Sequence, residues 1–231
     1  YHKLGELGPS LTASQKVIEL DPRNAAAQAN IGGVLLAIGR LEEAEKHFNE
    51  ALRIDSKYTE AYKNIGKLYL YKNDLKMSEL SFLSAISLDS NCAESRANLA
   101  NIYYKKGRLE EALIECQKAI LIRPGYAEAY NIQGNIHNFK GEIDSAESCY
   151  REAINLKENF SDAYNNLGSV LRARGEAYEA IAAYKKALLS NPHSSDAHNN
   201  LANVYMDIGN FHDAEKCYVE AINNNPYFLE A

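Results

Sequence analysis

Displaced by 34 residues, the chain comes into register with itself along its whole length. No other feature constrains it as tightly, because a fixed period of this size means stacked copies of one supersecondary unit, each burying its apolar face on its neighbours. With Ala25 as position 1, six full repeats run 25–58, 59–92, 93–126, 127–160, 161–194 and 195–228. Residues 1–24 form a partial repeat, with Gly5 at position 15, and 229–231 open a further one. Position 27 reads Ala51, Ala85, Ala119, Ala153, Ala187 and Ala221. Position 8 is always small (Gly32, Gly66, Ala100, Gly134, Gly168, Ala202), and position 20 is alanine or Ser78.

Within each repeat, apolar and small residues recur at positions 3, 7, 10, 11 and 14, then at 20, 24, 27 and 28. These are helical spacings, so each repeat is read as two amphipathic helices. First helices are expected near 25–38, 59–72, 93–106, 127–140, 161–174 and 195–208. Between the helices, position 15 reads Gly5, Gly39, Asn73, Gly107, Gly141, Gly175 and Gly209. A sharp helix C-terminus needs a left-handed residue, which Gly adopts freely and Asn next best. Position 24 carries Phe48, Phe82, Cys116, Tyr150, Tyr184 and Tyr218, large enough in most repeats to fill the space between neighbours. Proline at position 32 (Pro124, Pro192, Pro226) stops the second helix.

Composition removes whole classes of function. The 231 residues carry 25 basic and 31 acidic side chains, a net charge of −6, which argues against generic binding to a phosphate backbone. No apolar stretch is long enough to span a membrane, and the N-terminal residues do not read as a signal peptide. The lack of an initiator Met suggests a piece cut from a longer protein. Cys92, Cys116, Cys149 and Cys217 form no CxxC pair, and His193 and His198 lack the spacing that places two ligands on one helical face. The reading is of reduced thiols in an intracellular, cytoplasmic or nuclear protein, with no metal and no cofactor. No catalytic or phosphate-binding fingerprint is present, so the chain is not read as an enzyme.

The columns at 8, 20, 24, 27 and 32 resemble those of the tetratricopeptide repeat, and the resemblance covers essentially all of the chain. It implies an all-α solenoid, a single array in which helix-turn-helix repeats stack as a right-handed superhelix. It also implies that first helices line the concave surface. Position 4 departs from the family pattern, being aromatic only in Tyr62, Tyr130 and Tyr164 and otherwise Gln28, Arg96 or His198; looser packing is expected there.

Positions 2, 6, 9 and 13 fall on one face of the first helix. Position 6 reads Asn30, Asn64, Asn98, Ile132, Asn166 and Asn200. Position 9 adds Asn101, Asn135 and Asn203, and position 5 adds Asn131, Asn165 and Asn199. Asparagine is a mediocre helix former, so a column of it favours a ligand-facing ladder. A solvated face, or amides bonded back to their own helix, is the other reading. Candidate peptide-binding residues are Asn30, Asn64, Asn98, Asn101, Asn131, Asn135, Asn166, Asn200 and Asn203. The acids at position 2 (Glu60, Glu94, Glu128, Asp162, Asp196) complement the helix dipole and give the face an acidic edge. In the fourth repeat Ile132 and Phe139 share a face. Either they form an apolar spot in the groove, or the helix is rotated so that Ile132 is core and Asn131 replaces it.

Two functional readings follow. The family's chaperone-tail clamp finds only Lys63, Lys67, Asn98, Glu128 and Ile132 at its five places and is rejected. The segments SDAYNNLGSVLRARGEAYEAIAAYKKALLSNP and SDAHNNLANVY are similar to the repeat array of O-linked N-acetylglucosamine transferases. That likeness implies a groove docking extended substrate or adaptor polypeptides, with catalysis outside this chain. The alternative is an assembly or co-chaperone-type scaffold unrelated to glycosylation. Nucleic acid and membrane are not expected partners. End-to-end or homodimeric association is expected through the face bearing Tyr218 and Ile222.

Overall fold

A computed structural model describes residues 4–226, with side chains from Thr12 onward. Among the described residues there are thirteen helices and no strand. They are α1 (Leu4–Leu20), α2 (Ala25–Ala37), α3 (Leu41–Ile54), α4 (Thr59–Tyr71), α5 (Leu75–Leu88), α6 (Ala93–Lys105) and α7 (Leu109–Ile122). The remainder are α8 (Ala127–Phe139), α9 (Ile143–Leu156), α10 (Ser161–Ala173), α11 (Ala177–Ser190), α12 (Ser195–Asp207) and α13 (Phe211–Asn224). The six expected first helices are α2, α4, α6, α8, α10 and α12, each ending one residue before the boundary read from the sequence.

The chain resolves into two compact units, Tyr1–Gly107 and Arg108–Ala231. In the first, α2 packs on α3 and α4 on α5 as hairpins, with α2 also against α4. Its core is built on Ile31, Leu35, Phe48, Ile65 and Leu68. In the second, the hairpins are α8–α9, α10–α11 and α12–α13, and α10 touches both α8 and α12. Its core gathers Tyr150, Leu167, Val170, Tyr184, Leu201 and Val204.

The turn chemistry explains why each hairpin closes. Gly39, Gly107, Gly141, Gly175 and Gly209 have φ between +73° and +80°, and Asn73 has φ +57°. Next to five of them the position 16 N–H reaches the position 11 carbonyl: Arg40 to Leu35, Asp74 to Tyr69, Glu142 to His137, Glu176 to Leu171 and Asn210 to Tyr205, at 2.8–3.0 Å. This bond closes a helix that ends in a left-handed residue and satisfies one of its orphan carbonyls.

In four repeats the glycine at position 8 leaves no room for a side chain beneath the aromatic at position 24. A Cβ on Gly32 would lie 2.5 Å from the Phe48 ring, and one on Gly66 2.7 Å from Phe82. On Gly134 it would lie 2.5 Å from Tyr150, and on Gly168 2.7 Å from Tyr184. The aromatic at position 24 thus rests directly on the backbone of its own first helix. Ser78 replaces alanine at position 20 without an orphaned hydroxyl, because its Oγ donates to the Gly66 carbonyl at 2.8 Å.

One expectation is corrected: Gly5 lies inside α1 and not at a turn. Side chains at position 4 share a hydrogen-bonding role. Tyr62 donates to the Ser56 carbonyl, Arg96 to that of Ser90, and His198 Nε2 lies 3.0 Å from that of Pro192, each six residues back at position 32. Three chemically different side chains fulfil one role. Gln28 is buried and its Oε1 lies 2.7 Å from His47 Nδ1.

Candidate functional site

Helical geometry puts positions 5 and 6 of a first helix on adjacent lines. At position 5, Ala29, Ala97, Asn131 and Asn199 are buried and Lys63 and Asn165 half-buried. At position 6, Asn64, Asn98, Asn166 and Asn200 are half-buried and Asn30 is exposed. Ile132 is half-buried like its asparagine counterparts, while Asn131 is only 8% exposed. Helix α8 therefore keeps the common register, and Ile132 stands on the asparagine line with Phe139, which is 67% exposed.

In the second unit the asparagines bond to one another. Asn166 Nδ2 donates to Asn131 Oδ1 at 3.1 Å and to Asn135 Oδ1 at 2.9 Å. Asn200 Nδ2 donates to Asn165 Oδ1 at 3.1 Å. Position 6 of one repeat thus reaches back to position 5 of the repeat before it. At position 9 the partner is the tyrosine of the same repeat: the Tyr150 hydroxyl donates to Asn135 at 2.9 Å and that of Tyr218 to Asn203 at 2.7 Å. Ser169 and Tyr184 hydroxyls lie 3.1 Å apart in the same arrangement. Asn199 Oδ1 and His198 Nδ1 are buried without a hydrogen-bond partner.

The first unit is different. Asn98 Nδ2 bonds back to the Glu94 carbonyl of its own helix at 2.9 Å. Asn30, Asn64 and Asn101 make no side-chain hydrogen bond among the described residues. Beside them, Lys63 is held by Glu60 at 2.7 Å and by Glu94 at 3.1 Å, and Lys67 also pairs with Glu94. Burial raises the Glu94 carboxyl, but Lys67 and Lys63 together hold it below its ordinary value. Both lysines considered for a carboxylate clamp are already paired with acids, Lys63 with Glu60 and Glu94 and Lys67 with Glu94.

The asparagine-bearing face carries no constellation for bond-making chemistry. Among the described residues no group of three or more His, Cys, Asp or Glu side chains is placed to hold a metal ion. Burial pushes the Cys116 thiol up to about 12 and Cys149 up to about 11, the opposite of nucleophile activation. Between α10 and α12 a cleft of ≈ 330 Å³ is lined by Ser169, Arg172, Ala173, Tyr184, Asn200 and Asp207. Arg172 Nε bonds Asp207 across it at 2.6 Å.

The 34-residue period, the left-handed turns and the aromatic seated on small position 8 coincide with a known repeat. Models described as tetratricopeptide repeat match residues 59–92, 89–159 and 195–228, and one described as TPR repeat matches 32–73 and 168–209. These are tetratricopeptide repeats. Tetratricopeptide-repeat arrays generally serve protein–protein interaction, and this chain is one of that scaffold class.

The fold is shared with solved structures. A chain of the APC/C hetero-tetramer Cut9-Hcn1 superposes over 99% of this chain with a TM-score of 0.92 at 17% identity. PilF of Pseudomonas aeruginosa superposes over 89% of this chain and 94% of its own, with a TM-score of 0.74 at 17% identity. MamA covers 70% of this chain and 95% of its own, with a TM-score of 0.57 at 26% identity. This chain spans 45% of the Cut9-Hcn1 chain it matches. No curated protein matches the sequence. Among the described residues no helix is long and apolar enough to cross a membrane.

Proposed function

We propose that the asparagine-bearing faces of the first helices dock an extended polypeptide through its backbone. The observation that carries this reading is the fixed amide of Asn166. With both N–H groups engaged by Asn131 and Asn135, its Oδ1 is held in one orientation as an acceptor. A side chain ordered before binding loses less freedom when it binds. Asn30, Asn64, Asn98, Asn166 and Asn200 are the contact residues in this reading. Asn131, Asn135 and Asn203 hold the arrangement, and Asn101 belongs to the same face. Contacts made to the backbone are weakly sequence-specific, since every residue offers the same N–H and C=O.

The same face suits the substrate- or adaptor-docking region of a glycosyltransferase of the O-linked N-acetylglucosamine type, with no catalysis in this chain. An assembly or co-chaperone-type scaffold unrelated to glycosylation is the alternative. Whether a glycosyltransferase loses its protein substrates when this array is deleted from it distinguishes the two. Self-association through α13, where Val219 and Ile222 are exposed, is proposed alongside; light scattering across a concentration series tests it. For docking itself, the test is titration of an extended peptide into a variant with Asn64, Asn98, Asn166 and Asn200 changed to Ala.

A further inference from the structure

We propose that α8 makes the asparagine-bearing face of the second unit selective for a basic, extended polypeptide with one large apolar side chain, seated on Ile132 and Phe139. The inference rests on the docking reading above and narrows its partner.

Ile132 occupies the line that elsewhere holds asparagine, and Phe139, two helical turns on, is 67% exposed on the same face. A lone exposed apolar residue has no special meaning. Two large ones on one face, on either side of Asn135 along α8, give that face apolar side chains where the neighbouring first helices present Asn166, Ser169, Asn200 and Asn203. The amides around those side chains are already committed. Asn131 is buried beneath Asn166, and Asn135 Oδ1 receives both Asn166 and the Tyr150 hydroxyl. A polypeptide crossing α8 therefore meets a hydrocarbon surface that reads a side chain, and it meets backbone-reading amides only further on, at α10 and α12.

Charge fixes the rest of the partner's chemistry. The same face of α8, α10 and α12 carries Glu128, Asp162, Asp196 and Asp207. Glu128 is paired with Lys157 and Asp207 with Arg172. Asp162 and Asp196 are exposed and make no ion pair among the described residues. Opposite charge on the partner complements them and suppresses acidic competitors. Neighbouring helix axes lie about 8–10 Å apart, and an extended chain advances about 3.3 Å per residue. The apolar residue and the first Lys or Arg should then be about three residues apart.

The test is fluorescence anisotropy of the 231-residue protein with short labelled Gly/Ser peptides. The first carries one Leu flanked three residues away by Lys, the second replaces Leu by Ser, and the third replaces Lys by Glu. The Leu–Lys peptide should bind about ten-fold tighter than the Ser peptide, as expected for burying one large apolar side chain, and the Glu peptide weakest. Ile132→Asn should erase the Leu preference. Phe139→Ala, at a position that is 67% exposed, should reduce it in a variant that circular dichroism shows to be folded. Equal affinity for the Leu and Ser peptides, or a preference unchanged in both variants, overturns the proposal. If those two peptides bind equally and both are lost in the four-asparagine variant, the docking reading stands and this one falls. If no peptide binds, both fall.

Discussion

Asn166 donates to Asn131 at 3.1 Å across 35 residues of sequence, one more than the repeat length, and Asn200 stands in the same relation to Asn165. The offset arises because position 6 of one first helix faces position 5 of the previous one. In the second unit the asparagine column is thus a device that joins successive repeats, with the Asn166 and Asn200 amides held by their neighbours. On sequence grounds alone, alanine at position 6 should improve helix stability; the structure changes that expectation for Asn166.

Asn166→Ala should lower stability by about 1–3 kcal/mol, because it removes two hydrogen bonds and leaves the Asn131 carbonyl buried without a donor. Asn64→Ala, which breaks no side-chain hydrogen bond among the described residues, should change stability by about 0.5 kcal/mol or less. Urea unfolding of the two variants side by side checks the contrast.

The contact between position 8 and position 24 predicts a size rule. Gly168→Ala would put a Cβ 2.7 Å from the Tyr184 ring and should cost about 1–3 kcal/mol, as overpacking does. The sequence itself places Ala100 at position 8 of the repeat whose position 24 is the smaller Cys116, and Ala202 in the repeat whose Tyr218 is only half-buried where Tyr184 is buried. Gly168→Ala combined with Tyr184→Leu should therefore lose less than the sum of the two single changes, read from a double-mutant cycle.

Asn73 holds a left-handed conformation at φ +57°. Asn73→Gly should be neutral or slightly stabilising. Asn73→Val should cost about 1–2 kcal/mol, since a β-branched residue is strained there. Thermal unfolding of both variants checks the sign.

Lys72 and then the Tyr69 hydroxyl, which donates to Oε1 at 2.6 Å, hold the Glu45 carboxyl below its ordinary value. The same carboxylate, with burial, pushes Tyr69 up to about 12. A depressed acid contributes stability above its unfolded pKa that is lost as pH falls through the folded value; a raised phenol contributes below pH about 10 and loses it as pH rises toward 12. Glu45→Gln should therefore destabilise near neutral pH, and the difference from the parent protein should shrink at both extremes. Unfolding midpoints across pH 3–12 test this.

Much of the fold was legible in the sequence because each repeat states its own geometry. Gly or Asn at position 15 fixes the turn, and a small residue at position 8 answers an aromatic at 24. Gly5 misled because a matching column does not by itself say where a helix ends, and here the helix runs through it. The candidate face was legible as a column but not as a network. Its signal was present at two offsets: asparagines 35 apart (Asn131 and Asn166, Asn165 and Asn200), and Asn with Tyr 15 apart (Asn135 and Tyr150, Asn203 and Tyr218). Reading those offsets requires knowing which lines of neighbouring helices face each other, and periodicity within one helix does not contain that. Arg96 and His198 were missed for a related reason. Their common role is a hydrogen bond to one carbonyl, which residue type alone does not reveal.

Calorimetric titration of an extended peptide into the variant with Asn64, Asn98, Asn166 and Asn200 all changed to Ala asks whether the asparagine amides bind a polypeptide backbone. At about 0.5–1.5 kcal/mol per neutral hydrogen bond, the combined change should weaken binding by several kcal/mol, while any one Ala substitution shifts it less than ten-fold. Circular dichroism at the titration temperature must show the variant fully helical, since loss of the Asn166 and Asn200 bonds lowers its melting point. Weakened binding by a folded variant is the predicted result. Unchanged affinity in a folded variant would mean that these amides do not bind a polypeptide and that the column faces solvent.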